Sequence, residues 1–75
     1  MPKRSVNLHG HATRVSLEDE YWAELKRMAA ESGLPVGALI ERIDGARQSA
    51  NLSSALRLAV LADLKAKAAA SPPVI

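Results

Sequence analysis

In the stretch TRVSLEDEYW, residues 13–22, the spacing of the apolar residues changes partway along. Residues 13–17 alternate polar and apolar, which is the period of a β-strand, and the residues after them have helical spacing. A lone strand leaves the backbone groups of both its edges unpaired. The sequence therefore predicts that a second copy supplies a partner strand. The resulting homodimer would carry a two-stranded ribbon of the kind that fits the DNA major groove.

The size of the chain also favours self-association. It has 75 residues and no cysteine, so it forms one domain that no disulfide can stabilise. A chain this short buries only about 60% of its unfolded surface. Hydrophobic residues make up 48% of it, but only Tyr21 and Trp22 are aromatic, and we expect both in the core. A core of Leu, Ile, Val and Ala is typical of a helical protein.

Targeting signals are not evident in this sequence. No apolar run approaches the roughly 20 residues of a membrane span. The residues at the amino end lead into no long apolar stretch, so we expect no secretory signal, no membrane partner and a cytoplasmic location.

Charge is distributed unevenly along the chain, although the net charge is only +2. Residues 1–16 carry a net +3 with no acid, residues 17–44 a net −4, and residues 45–75 a net +3. A polyanion would therefore meet the amino-terminal residues first and the carboxyl-terminal end second, and would be repelled by the middle.

Three helices are predicted from apolar spacing and capping signals. The first covers about residues 18–32, with Ser16 and Asp19 resembling a capping box and Gly33 as the left-handed cap. The second runs from Pro35 to Gly45. A polar loop follows over residues 46–50, and Asn51 then caps a third helix to about residue 69.

The residues before the predicted strand have a weaker extended pattern. Val6 and Leu8 alternate with polar residues, so a short extended segment is plausible there. Strict alternation would place both on the face of Arg14, opposite Val15. The register must therefore change, and Gly10 is the natural place for a bulge or bend.

The order of these elements resembles a known family. The resemblance rests on four motifs: Arg4-Ser5-Val6, Gly10-His11-x-Thr13, Val15-Ser16-Leu17-Glu18 and the run Asn51–Arg57. Over residues 12–46 the chain resembles the ribbon-helix-helix fold of Arc-type repressors. With its third helix it is similar to small bacterial ribbon-helix-helix proteins over nearly its whole length.

The resemblance implies a mainly α fold with one amino-terminal β-strand, arranged as an intertwined homodimer with an antiparallel ribbon. Its segments would be a basic amino-terminal arm (1–11), the ribbon-helix-helix core (12–46), a carboxyl-terminal helix (47–70) and a flexible tail (71–75). The implied function is that of a sequence-specific DNA-binding regulator, a repressor located at the nucleoid, without a cofactor.

The same resemblance implies a set of DNA contacts. Residues 12–17 of two chains would pair, with Val15 and Leu17 facing the core. Three residues would then face bases: Ala12, Arg14 and Ser16. Arginine can contact guanine O6 and N7, serine can donate or accept, and alanine can contact a thymine methyl group.

Phosphate contacts are expected at two places. Lys3 and Arg4 would contact the DNA backbone from the arm. At the start of the second helix, the backbone N–H groups of Val36, Gly37 and Ala38 can bind a phosphate. No hydroxyl or amide side chain assists them there, unlike in the family.

The third helix supports an alternative interpretation. Its broad apolar face exceeds what one ribbon-helix-helix core needs. That face consists of Leu52, Leu56, Val60, Leu61 and Leu64. It can wrap the partner protomer, form tetramers, or dock another protein, so an antitoxin-like or assembly module is the alternative function.

Other chemistry has little support in the sequence. His9 and His11 are weak metal candidates, because two imidazoles on one strand face need a third ligand from an acid or a partner chain. No nucleophile–base pair and no glycine-rich phosphate loop is evident, so we expect no enzymatic activity.

Overall fold

The computed structural model describes residues 2–46 and 51–70. A two-stranded antiparallel ribbon is followed by three helices, which confirms the predicted fold class with its additional helix. The elements are β1 (Lys3–Leu8), β2 (His11–Ser16), α1 (Asp19–Ser32), α2 (Val36–Ala46) and α3 (Leu52–Ala70).

Both strands of the ribbon come from the same chain, which differs from the expectation of one strand per chain. Residues 3–8, predicted as part of an arm, form β1 and pair with β2. The reversal occurs at His9 and Gly10, whose φ angles of 52° and 84° are both positive. A two-residue hairpin turn of type I′ requires this sign at both positions. The lone-strand argument for a homodimer therefore loses its premise.

The hairpin turn also resolves the change of face expected at Gly10. The chain folds back there, so Val6 and Leu8 lie on the same side of the ribbon as Val15. All three are buried, and Leu17 is buried beyond the end of β2. The inner face of the ribbon, defined by these residues, packs on the helices.

The capping signals of α1 are confirmed at one end only. The predicted pair of Ser16 and Asp19 is wrong, because the cap residue is Glu18 and no side chain caps it. Asp19 instead accepts a hydrogen bond from Arg4. At the other end Gly33 is left-handed, and its N–H and that of Leu34 bond to carbonyls of the last turn, as in a Schellman motif.

The remaining helices begin close to their predicted positions. Pro35 precedes α2 and accepts its first helical hydrogen bond, from Leu39 N–H at 3.2 Å. Gly45 does not end α2, which extends to Ala46. The Asn51 side chain caps α3 by accepting a hydrogen bond from Ser54 N–H at 3.2 Å. The loop was predicted over residues 46–50, but Ala46 belongs to α2. The rest of that loop, residues 47–50, and the predicted tail over 71–75 lie outside the described residues.

A single core lies between the inner face of the ribbon and the three helices. Tyr21 and Trp22 pack half-buried against it, so the prediction that they belong to the core is confirmed. Its fully buried large side chains are Leu17, Leu25, Ile40, Leu56 and Val60. None of the helices in the described ranges is long and apolar enough to cross a membrane.

Candidate nucleic-acid interface

The outer face of the ribbon, which points away from the helices, carries six side chains. Strand register sets three residues of β2 opposite three of β1. From the turn to the open end, the opposed pairs are Asn7 with Ala12, Ser5 with Arg14, and Lys3 with Ser16. The structure thus brings Ala12, Arg14 and Ser16 together on one face, and residues of β1 join them.

This face is exposed and free of acids. Five of its six side chains are exposed, and Ser16 is partly so. Lys3 and Arg14 give it two positive charges, and no Asp or Glu occurs between residues 3 and 16. Alternation produces this separation, because every second residue of a strand points to the same side. An exposed, basic, hydrogen-bonding surface results.

Lys3 and Arg4, both predicted to contact phosphate, lie on opposite faces. Lys3 is on the outer face. The Arg4 guanidinium is held on the inner side by an ion pair with Asp19 at 2.9 Å and lies 4.8 Å from the Trp22 ring centroid. Its Nε is buried and has no hydrogen-bond partner among the described residues. Arg4 therefore ties the open end of the ribbon to α1.

The hairpin turn is fixed to α2 through His9. Its backbone N–H donates to a Glu41 carboxylate oxygen at 3.1 Å, and its Nε2 lies 3.6 Å from Asp44. His9 lies in the turn and His11 in β2, so the two do not share a strand face. Within the described ranges, no group of three or more His, Asp or Glu side chains is placed to hold a metal ion.

The polar contacts of α2 with the hairpin turn lie in the second half of the helix, at Glu41 and Asp44, and not at its start. The N–H groups of Val36, Gly37 and Ala38 precede the first helical hydrogen bond, so they have no acceptor within α2. Their role as a phosphate site stays a prediction.

Helix α3 divides its apolar residues between the core and the surface. Leu56 and Val60, expected in a docking face, are buried within the chain, and Leu52 packs against the core. Leu61 and Leu64 are 48% and 43% exposed. They are joined by Leu58, which is 57% exposed and which the sequence interpretation missed. These three residues define the exposed leucine face.

Ion pairs join α1 to the carboxyl-terminal half of α3. Arg27 bonds Glu24 at 2.8 Å, Glu31 at 3.0 Å and Asp63 of α3 at 2.7 Å. Lys67 lies 3.0 Å from Glu31. Hydrogen bonds donated by Lys67 and Arg27 lower the pKa of Glu31, and the hydrogen bonds that Arg27 donates to Asp63, Glu24 and Glu31 raise its own pKa.

A second contact joins the amino-terminal half of α3 to the start of α1. Arg57 donates to Glu18 at 2.9 Å, and its guanidinium lies 5.9 Å from the Tyr21 ring centroid. A backbone hydrogen bond and the bond from Arg57 lower the pKa of Glu18. The carboxyl-terminal positive charges at Arg57 and Lys67 thus face acids of α1 and its cap.

Sequence reasoning did not predict that Ser5 and Asn7 lie on the outer face of the ribbon, opposite Arg14 and Ala12. The available signal was the alternation of Val6 and Leu8 with polar residues, together with His9-Gly10. A turn that accepts two positive φ angles there would have paired the two alternating segments.

Known proteins resemble this chain at the level of sequence and of structure. A family model described as a ribbon-helix-helix domain matches residues 1–64. The solved structure of an uncharacterized protein from Bordetella pertussis Tohama I is similar, with 36% identity and a TM-score of 0.78. The match covers 97% of this chain and 62% of that one, so this chain spans less than two thirds of its length.

No curated protein matches the chain. The family model nevertheless covers well over half of its residues, including both strands and all of α1 and α2. The chain belongs to the ribbon-helix-helix domain family, a non-enzymatic fold of DNA-binding transcription regulators.

Proposed function

We propose that this chain is a sequence-specific transcriptional regulator that inserts its ribbon into the DNA major groove and acts as a repressor at the nucleoid. The proposal rests on the outer face of the ribbon, because this face is exposed, basic and free of acids. The groove is about 12 Å wide, and two strands lie about 4.8 Å apart, so a ribbon fits with its side chains toward the base edges.

Each outer-face residue of β2 has a proposed role. Arg14, at the middle of the face, contacts guanine O6 and N7 with two of its guanidinium nitrogens. Ser16 donates to or accepts from a base edge, and Ala12 contacts a thymine methyl group. Lys3, at the open end of the hairpin, contacts a phosphate. Arg4 is left out of this surface because Asp19 and Trp22 hold its guanidinium.

A ribbon from one chain is a better fit to the groove than a sheet from two. If a second copy paired with the free edge of β2, the four strands would span about 14 Å between the outer backbones. That width exceeds the groove before any side chain is added. We therefore assign groove insertion to the hairpin of a single chain.

The backbone N–H groups of Val36, Gly37 and Ala38 are proposed to bind a phosphate beside the groove. The N-terminal end of a helix attracts anions through its free N–H groups and its dipole. Because Pro35 has no N–H and no hydroxyl assists, we expect this contribution to be small.

A homodimer would compensate for the small charge of one ribbon. With only Lys3 and Arg14 on the outer face, few counterions are released per chain, and the electrostatic part of DNA affinity is correspondingly small. Two linked ribbons on the same DNA gain affinity through their high effective concentration. The exposed leucine face of α3 is the surface we assign to this self-association.

Apolar self-complementarity favours a second copy as the occupant of that face, because a two-fold contact covers the same exposed leucines on both copies. If two α3 helices pack antiparallel about Leu61, Leu58 of one copy lies against Leu64 of the other. Residue 65 then lies against residue 57, beside which Glu18 is bound. The exposed Lys65 of each copy thereby lies near the Arg57–Glu18 ion pair of the other, which carries no net charge. Tetramers and an unrelated protein partner are the competing outcomes.

Fluorescence anisotropy on duplex DNA over a salt series tests the DNA-binding proposal. Arg14→Ala should weaken binding to a selected site by about 1–3 kcal/mol, and Lys3→Ala should weaken binding to all sequences and reduce the salt dependence. Lys26→Ala, which removes an exposed charge of α1, is the matched control and should bind normally. No binding by the wild-type chain at low salt would overturn the proposal.

Sedimentation equilibrium tests self-association separately. Leu61→Lys should shift the wild-type dimer to monomer, because it places two charges together at the centre of the apolar contact. Ala66→Lys adds the same charge to an exposed position of α3 outside the leucine face and should leave the dimer intact. A wild-type monomer, or a dimer unaffected by Leu61→Lys, would exclude this interface.

A further inference from the structure

The hairpin turn contains a residue in an unfavourable backbone conformation. His9 has a φ angle of 52°, and a positive φ angle is disfavoured for any residue that carries a Cβ. Glycine, asparagine or aspartate usually occupies both central positions of such a turn. Unfavourable conformations persist where the surrounding contacts fix them, and they are concentrated at functional sites. The contacts of His9 therefore indicate why this turn is fixed.

Two carboxylates of α2 hold His9 in place. The strand pairing ends at Leu8 with His11, so the His9 N–H lies beyond the ladder. It donates instead to a Glu41 carboxylate oxygen at 3.1 Å. The imidazole Nε2 lies 3.6 Å from Asp44, about one helical turn further along α2. Glu41 thus holds the backbone of the turn, and Asp44 lies against its side chain.

The ribbon is consequently fixed at both ends, to two different helices. At the open end, Arg4 pairs with Asp19 of α1 at 2.9 Å. At the other end, Glu41 fixes the turn to α2. Loss of the Glu41 hydrogen bond would release the backbone of the turn and leave the open end attached.

We infer that Glu41 is a positioning residue, which fixes the ribbon relative to the start of α2 by accepting the His9 N–H. This inference rests on the proposed function, in which the ribbon enters the groove and the N–H groups of residues 36–38 bind a phosphate. A helix rises 1.5 Å per residue, so Glu41 lies about 5–8 Å along α2 from those groups. One rigid element therefore sets the distance between the bound phosphate and the ribbon.

Charge and position act in opposite directions at Glu41. Removal of a carboxylate strengthens the attraction of the chain for phosphates. Removal of the hydrogen bond frees the turn, and fixing the turn again on DNA costs conformational entropy. Glu41→Ala removes both the charge and the acceptor, whereas Glu41→Gln removes the charge and keeps an oxygen that can accept the His9 N–H. Glu20→Ala removes an exposed acid of α1 and is the matched control for charge.

Amide hydrogen exchange of the full chain tests the hold on the turn without DNA. The His9 amide should exchange about 10-fold faster in Glu41→Ala than in the wild type, because its hydrogen bond to a charged acceptor is lost. Exchange in Glu41→Gln and Glu20→Ala should stay close to that of the wild type.

Fluorescence anisotropy of the same variants tests the positioning role. Glu41→Ala should bind a selected DNA site about 10-fold more weakly, since the freed turn must be ordered again on binding. Glu41→Gln and Glu20→Ala should bind that site at least as tightly as the wild type. Binding to random DNA depends on phosphate contacts, so none of the three variants should weaken it.

The outcomes separate this inference from the proposed function. Equal losses on the selected site for Glu41→Ala and Glu41→Gln, or no loss for either, would overturn the positioning role and leave the ribbon as a DNA reader. Equal weakening of selected and random DNA by Glu41→Ala would indicate a general effect on the fold and would overturn it too. A His9 amide that exchanges at the same rate in the wild type and in Glu41→Ala would overturn the hold itself. A wild-type chain that binds no DNA would overturn the proposed function together with the inference.

Discussion

Lys3 and Arg4 differ more in role than their similar charges suggest. They are adjacent in β1, so their side chains point to opposite sides of the ribbon. Lys3 lies on the exposed outer face, whereas Arg4 bridges Asp19 and the Trp22 ring on the inner side. Sequence reasoning grouped the two as phosphate contacts, because the pairing of β1 with β2 was needed to assign them to separate faces.

The pair supplies a test of this division. Arg4→Ala should lower the free energy of unfolding by about 1 kcal/mol, since it removes a cation–π contact and the packing of the arginine side chain. Lys3→Ala should leave unfolding unchanged and reduce the salt dependence of DNA binding. Urea unfolding and anisotropy on the same two variants measure both effects. If Lys3→Ala instead lowered the free energy of unfolding and Arg4→Ala instead reduced the salt dependence of DNA binding, the two side chains would lie on the faces opposite to those described here.

Glycine substitutions test the turn that makes the ribbon intramolecular. Gly10 has a φ angle of 84°, and no atom lies within 4 Å of a Cβ added to it. Gly10→Ala should therefore destabilise the chain by about 1–2 kcal/mol through backbone strain alone.

Gly37 provides the matched control, because it lies in α2 and an added Cβ would also meet open space. Gly37→Ala should stabilise the chain by up to about 1 kcal/mol, since alanine is the better helix former. Thermal unfolding of the two variants should thus show shifts of opposite sign. A neutral Gly10→Ala variant would argue against the positive φ angle at this turn.

At the level of elements, the three helices and β2 could be predicted from the sequence, because each has a regular apolar spacing and recognisable end signals. Gly33 and Asn51 act as the expected caps. The partner of β2 could not be predicted in the same way. Val6 and Leu8 appeared to be out of register with Val15, and only a turn with positive φ at the non-glycine His9 reconciles them. Tertiary contacts also displaced the predicted cap at Ser16, since Asp19 pairs with Arg4.

A disulfide can establish whether the ribbon lies within one chain. Opposed pairs of an antiparallel ribbon alternate between hydrogen-bonded and non-hydrogen-bonded, and the pair flanking a two-residue turn, Leu8 with His11, is hydrogen-bonded. The next pair, Asn7 with Ala12, is therefore non-hydrogen-bonded, with Cα atoms about 4.5 Å apart, within disulfide range. The chain has no native cysteine, so Asn7→Cys with Ala12→Cys should oxidise to an intrachain bond.

Non-reducing electrophoresis and mass spectrometry read out this experiment. A monomeric oxidised product that has lost two hydrogens is expected at low protein concentration. The double variant Lys26→Cys with Ala12→Cys joins residues of α1 and β2 that are not opposed and should stay reduced under the same conditions. Covalent dimers in place of the monomeric product would support a ribbon formed between two chains.

The whole molecule separates its charges by face. The acidic middle of the sequence and the basic carboxyl-terminal part meet across the α1–α3 contact, where Arg27, Arg57 and Lys67 bind acids. Lys3 and Arg14 of the ribbon lie on its exposed outer face, which carries no acid. Sequence reasoning located the three charged regions, and the fold determines that the last two largely neutralise each other. The ribbon is consequently the part of the described chain best suited to a polyanion.

This neutralisation makes the stability of the fold dependent on pH. The pKa values of Glu18 and Glu31 are lowered in the folded chain, so both carboxylates bind protons more weakly there than in the unfolded chain. Their contribution is complete above the ordinary glutamate pKa of about 4.3 and is lost as the pH falls through the lowered folded values. The free energy of unfolding should therefore decrease from about pH 5 downward.

Urea unfolding between about pH 7 and about pH 2.5 measures this decrease. Glu31→Gln should make the decrease shallower, since glutamine cannot ionise. Glu20→Gln, an exposed position of α1 outside the cluster, should leave the slope as in the wild type, and an equal change in both variants would mean that general charge, and not the α1–α3 contact, sets the acid sensitivity.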